Sequence, residues 1–126
     1  MFEGPEYESY IALCRELRPE HIFGQADWAF VEDPESENGG VVTTRLVHEG
    51  ERAGDTVVWL PRLDQWLATL EEAGGYVVRF TRIDKPTPAY AIDALLERQP
   101  QSEHARMVAP TREETAARLW MTVTRR

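Results

Sequence analysis

Apolar side chains recur three or four positions apart in three stretches of this 126-residue chain, the spacing of helices that bury one face. Residues 6–17 place Tyr7, Tyr10, Ile11, Cys14 and Leu17 on one stripe, with Pro5 suited to the first turn and Pro19 closing the helix. Leu63, Trp66, Leu67 and Leu70 form a second stripe, with Leu60 just ahead of it. Pro61 fits the first helical position there, and Gly74-Gly75 supplies a left-handed stop. The third stripe is Ala116, Leu119, Trp120 and Val123. Thr111 is its N-cap, and Glu114 three residues on completes a capping box. Glu113 and Glu114 complement the positive helix end, and Arg125 and Arg126 the negative one.

Between these stretches the period changes to two. Residues 26–32 predict a strand with Trp28 and Phe30 on one face, and Val41–His48 a β-branched partner. The acidic connector 33–40, with Asn38-Gly39 as its tight turn, makes the pair a hairpin. A polar loop at 49–55 leads to a short third strand at 56–60. Residues 76–83 alternate so that Tyr76, Val78 and Phe80 are expected to face the core, with Arg79 and Arg82 on opposite faces. Residues 87–98 fit either a helix (Ala91, Ile92, Leu95, Leu96) or a strand (Tyr90, Ile92, Ala94, Leu96). Propensity alone chooses the helix. The strand reading, paired with 103–109, is preferred because a lone strand at 76–83 would need partners. The expected fold is α+β, an antiparallel sheet packed by helices in the order α-β-β-β-α-β-β-β-α. It forms a single domain over 1–126, with an acidic sub-half at 1–60 and a helix–sheet–helix sub-half at 61–126. The halves share an outline without a residue-level repeat, which leaves a duplication open.

Charge divides the chain in the same place. Residues 1–55 carry thirteen acidic side chains against four arginines, a net of −9, whereas residues 56–126 carry a net of +1. An acidic surface repels phosphate backbones, so direct nucleic-acid binding is disfavoured. Solubilisation accounts for such a surface, and so does docking on a basic protein. The basic residues are thirteen arginines and Lys85, a bias that GC-rich coding explains. The single Cys14 admits no intramolecular disulfide and no multi-cysteine zinc pattern. It falls on a buried stripe, where a thiol is packed rather than reactive. With no signal-peptide pattern and no apolar run of about 18 residues, a cytoplasmic location without membrane attachment is expected.

Candidate chemistry is sparse. His21, His48 and His104 have no metal-ligand spacing. Ser9, Ser36 and Ser102 stand in no nucleophile elbow. The carboxylate pairs Glu32-Asp33, Glu35 and Glu37, Glu71-Glu72 and Glu113-Glu114 are expected to be solvated, whereas acid–base catalysis needs one carboxyl buried. Asp27, Glu32, Asp33, Glu35 and Glu37 could hold a divalent cation weakly, without the glycine and terminal glutamate of a calcium loop. Gly39-Gly40 and Gly74-Gly75 are turns, not phosphate cradles. No catalytic residue, cofactor or metal is therefore expected. Trp59 and Trp66 serve either the core or a pocket.

Trp59–Leu67, the strands that follow, and Ala109–Met121 together resemble small uncharacterised phage and bacterial proteins of a helix–sheet–helix type, over residues 57–124. The outline is similar to HicB-like and double-stranded-RNA-binding arrangements. The basic loop and lysine-rich helix start of the latter are absent, since Thr111-Arg-Glu-Glu is mostly acidic. The resemblance implies an outline and carries no activity. Two main readings follow. The first is a non-catalytic interaction module, phage- or mobile-element-encoded, that binds a basic protein through Asp27, Glu32, Asp33, Glu35, Glu37, Glu49, Glu51 and Asp55. The alternative is a small enzyme or a domain for a small, anionic ligand, with its pocket near Trp59, Trp66, Tyr76, Arg79 and Arg82. A homo-oligomeric structural protein, pairing through exposed strand edges, is a third.

Overall fold

The alternation of helical and strand periods is realised as an α+β fold, with three α-helices and two three-stranded antiparallel sheets in a computed structural model that describes residues 2–33, 41–97 and 102–124. The chain divides into two compact units, Met1–Arg62 and Leu63–Arg126.

In the first unit a 3₁₀ turn at Pro5–Tyr7 leads into α1 (Glu8–Leu17). Arg18 takes a left-handed conformation (φ 55°) and Pro19 opens a second 3₁₀ turn, so the proline ends the helix as its missing N–H requires. Tyr10, Leu13 and Cys14 are the buried face of α1. Three strands follow: β1 (Trp28–Asp33), β2 (Val41–Leu46) and β3 (Val57–Trp59). β1 is central, paired antiparallel with β2 from Trp28↔Leu46 to Asp33↔Val41 and with β3 from Ala29↔Trp59 to Val31↔Val57. The hairpin turn at Asn38-Gly39 lies outside the described residues. One sheet face carries Trp28, Phe30 and Val58. There Phe2 is buried against Tyr10 (ring centroids 5.8 Å) and Trp28 (6.2 Å). The Tyr10 hydroxyl donates to the Pro61 carbonyl at 2.5 Å, tying α1 to the chain leaving β3.

Because β2 and β3 flank β1, the connection between them must cross it. It crosses the opposite face, where Ala26 and Ala29 are small enough to let the chain pass. Ala26, Ala29 and Trp59 are buried there, with Val31, Val47, Ala53 and Val57 packed against them.

The second unit runs α2 (Leu63–Glu72), β4 (Gly75–Ile83), β5 (Ala89–Leu96), β6 (Glu103–Ala109) and α3 (Arg112–Thr124), with sheet order β4-β5-β6. Residues 89–96 are thus a strand, as the need of β4 for partners requires. Helix α2 starts at Leu63, so Pro61 precedes it rather than occupying its first position. Gly74 takes the left-handed turn (φ 93°). Gly75 is needed for proximity instead, since a Cβ there would lie 2.8 Å from Leu70 Cδ1. Both helices pack on one face of the sheet, with Trp66 fully buried against Trp120 (centroids 5.7 Å). The buried Thr115 hydroxyl shares its proton between the carbonyls of Thr111 (2.6 Å) and Tyr90 (3.1 Å), pinning α3 to β5.

Besides the place of Pro61, two expectations need correction. Tyr76, Val78 and Phe80 do not share a core face: the register shifts between Val77 and Arg79, and all three are exposed. The extra residue inverts the alternation, so Val77 and Phe80 stand with Ala94 and Ile92, while Tyr76 pairs with Leu95 on the uncovered face. The Glu113-Glu114 pair is not solvated: Glu114 is 1 % exposed and accepts from Arg118 Nε at 2.7 Å, and burial raises the pKa of Glu113. The Thr111 cap does form, with the Glu114 N–H donating to Thr111 Oγ1 at 3.3 Å. Finally, the first sheet is ordered β2-β1-β3 and the second β4-β5-β6. Shared element order without shared sheet order is not what a duplicated unit would give.

Candidate functional site

The crossover from β2 to β3 does more than cover Ala29. Val47 N–H donates to the Asp27 carbonyl (2.8 Å), and Glu51 N–H to the His48 carbonyl (3.0 Å), closing a turn in which Gly50 takes φ 77°. The Glu51 side chain locks that turn. Its Oε1 accepts the His48 N–H at 3.1 Å, and the Arg45 guanidinium forks onto both oxygens at 2.8 and 2.7 Å. This hydrogen-bonded fork holds the Glu51 pKa down at about 2, against the weaker opposing effect of burial, and raises that of Arg45. Across from the turn, Arg62 pairs with Asp27.

These elements enclose an open cleft of about 930 Å³. Ala26, Leu46, Val47, Ala53 and Trp59 supply its apolar lining, and Glu20, Asp27, Glu49 and Glu51 its acids, against Arg52 and Arg62. Two acids are already matched, Asp27 by Arg62 and Glu51 by Arg45. Among the described residues Glu20 has only a distant guanidinium, that of Arg18 at 3.9 Å. Glu49 is exposed and has no ion pair among the described residues. The indole N–H of Trp59 is buried with no acceptor among the described residues. Glu20 and Glu49 then stand against Arg52, so the cleft can offer aromatic surface and a surplus of one carboxylate to a cationic group.

The residues singled out for a basic partner are thus distributed. Asp27, Glu49 and Glu51 meet at this cleft. Glu32 stands on the α1-covered face of the sheet, where Arg15 lies 2.9 Å from its carboxylate and 5.8 Å from the Phe30 centroid. Asp55 is exposed beside Arg18 at 3.7 Å. Asp33 ends β1, its side chain outside the described set, as are Glu35 and Glu37 altogether.

The residues singled out for a pocket do not converge either. Trp59 belongs to the first unit's cleft. In the second unit Trp66 is core, Tyr76 and Arg79 lie on the uncovered sheet face, and Arg82, opposite Tyr90, lies on the helix side. The bulge preserves the expected separation of Arg79 from Arg82, and for that reason the two cannot grip one anion.

Glu20, Trp28, His48, Arg52 and Arg62 are lining residues that the sequence did not single out. The one available signal was the pairing of a polar Glu49-Gly50-Glu51-Arg52 turn with an arginine six residues before Glu51. Among the described residues, no group of three or more His, Cys, Asp or Glu side chains is placed to hold a metal ion, and no helix is long and apolar enough to cross a membrane. Comparison with known proteins finds no matching family model, no similar curated protein and no similar solved structure.

Proposed function

We propose that this protein is a non-catalytic binding module that takes a basic segment of a protein partner into the cleft of its first unit. The observation that carries this reading is the lining: four carboxylates beside Trp59, with Glu49 left unmatched among the described residues. A guanidinium or ammonium entering there meets an aromatic wall and surplus negative charge together. The net of −9 over residues 1–55 steers such a partner towards this half. Glu51 supports a structural rather than a catalytic rim: its pKa is lowered to about 2, the opposite of what a general acid requires.

Titration of the full chain with an arginine-rich nonapeptide, read by tryptophan fluorescence, tests the reading. Binding is expected to weaken steeply between about 0.05 M and about 0.5 M NaCl. Glu49→Lys, an exposed substitution that leaves the fold intact, is expected to weaken it about tenfold. Salt-independent binding, or binding that ignores Glu49→Lys, would remove the basis for it.

A small ligand in the same cleft is a second reading, favoured by the buried Trp59 N–H that lacks an acceptor among the described residues. A thermal shift with small metabolites, and none with the peptide, would select it.

A further inference from the structure

Phe80 and its strand partner Ile92 stand on the same, helix-covered face of the second sheet, yet Ile92 is fully buried and Phe80 is 44 % exposed. The helices leave the Phe80 end of that face open. There Phe80 lines a hollow of about 420 Å³ together with Leu63, Thr81, Arg82, Tyr90 and Arg112. All of these residues belong to the second unit, so the hollow is independent of the cleft discussed above.

Its chemistry is that of an anion site with an apolar wall. The Arg112 guanidinium lies over the Tyr90 ring, 4.9 Å from the centroid, and it forms no ion pair among the described residues. Stacking on a ring orients a guanidinium plane while its N–H edge stays available to an acceptor. Arg82 donates Nε to Asp84 Oδ1 at 3.0 Å in an exposed pair. Its two terminal nitrogens make no hydrogen bond among the described residues. Two forks of this kind beside a bare phenyl ring suit a ligand that joins an anion to a flat apolar body.

We propose that this hollow binds a small molecule of that class, with its ring against Phe80 and its phosphate or carboxylate between Arg82 and Arg112. A few hundred Å³ matches a nucleoside monophosphate or an aryl carboxylate. The acidity of the chain does not oppose this placement, because residues 56–126 carry a net of +1.

The test is titration of the full-length, isotope-labelled protein with four probes: adenosine monophosphate, adenosine, inorganic phosphate and benzoate. Either adenosine monophosphate or benzoate is expected to bind, and the tighter of the two identifies the anion. Amide shifts should centre on Phe80–Arg82, Tyr90 and Arg112. If the nucleotide binds, adenosine and phosphate alone should each be weaker by about tenfold or more, because each lacks half of the recognised chemistry. Phe80→Ala and Arg112→Ala are each expected to cost about tenfold in the affinity of the tighter ligand. Arg112→Lys should not restore it, since an ammonium lacks the planar fork. Phe80 and Arg112 are both exposed, and unchanged melting temperatures will show that the variants fold. Failure of every probe to bind at about 10 mM, far above the range of a formed small-molecule site, would overturn the proposal. So would affinity that survives both alanine substitutions, or phosphate binding as tight as the nucleotide.

Discussion

Replacing Glu51 by Gln keeps the size of the side chain that borders the cleft, removes its charge and turns one of its two acceptor atoms into a donor. In the native protein that carboxylate accepts two bonds from Arg45 and one from the His48 N–H, and its pKa falls from an ordinary 4.5 to about 2. Without solvent screening the displacement would correspond to about 3 kcal/mol of folded-state stabilisation. Arg45 is 29 % and Glu51 17 % exposed, so solvent screens the pair and about 1 kcal/mol is the realistic contribution. The group's pKa is depressed on folding. Its contribution is therefore complete above the unfolded value near 4.5, shrinks as pH falls below about 5, and is lost as pH passes down through about 2. Urea unfolding of native and Glu51→Gln proteins should differ by about 1 kcal/mol at pH 7, and the difference should close towards pH 2. Carbon-13 NMR titration of the Glu51 carboxyl supplies the local readout, with a midpoint near 2. A midpoint near 4.5, or a stability difference that stays constant from pH 7 to pH 2, would show that the fork does not hold the turn.

Phe2→Ala should destabilise the first unit by about 3 kcal/mol, because it empties a site enclosed by Tyr7, Tyr10 and Trp28; hydrogen exchange in α1 and β1 would report the loss. Gly75→Ala forces a methyl to within 2.8 Å of the buried Leu70 Cδ1, and should cost the second unit about 1–3 kcal/mol in thermal unfolding. Trp66→Ala removes a fully buried indole tilted against Trp120 and should cost about 3–5 kcal/mol, measured by urea denaturation.

Local signals in the sequence located most elements and missed what long-range closure decides. The Thr111 cap, the Gly74 stop and the Trp66–Leu70 stripe depend on neighbours within one or two turns, and each is legible on those terms. The strand at Ala89–Leu96 was recoverable only from the demand of β4 for a partner, against its own propensity. Three features had no local signature. The bulge at Val78 inverts the faces of β4, because one unpaired residue reverses every position before it. Glu114 reads as a solvated helix-start acid, yet the packing of α3 buries it beside Arg118. Placing β1 between β2 and β3 sends residues 47–56 across Ala29, which is what gathers Asp27, Glu49 and Glu51 with Trp59. The acids were therefore identifiable by type and charge, whereas the separation of Asp27, Glu49 and Glu51 from Glu32 and Asp55 was not.

We propose above that the acidic cleft of the first unit receives a cationic partner. Amide chemical-shift mapping of the full chain with the arginine-rich nonapeptide tests it most directly. Perturbations are expected to gather on Gly24–Trp28, Leu46–Ala53, Trp59 and Arg62, and to collapse in Glu49→Lys. Shifts confined to Arg15, Glu32 or Asp55, or no shifts at all under low-salt conditions, would contradict it.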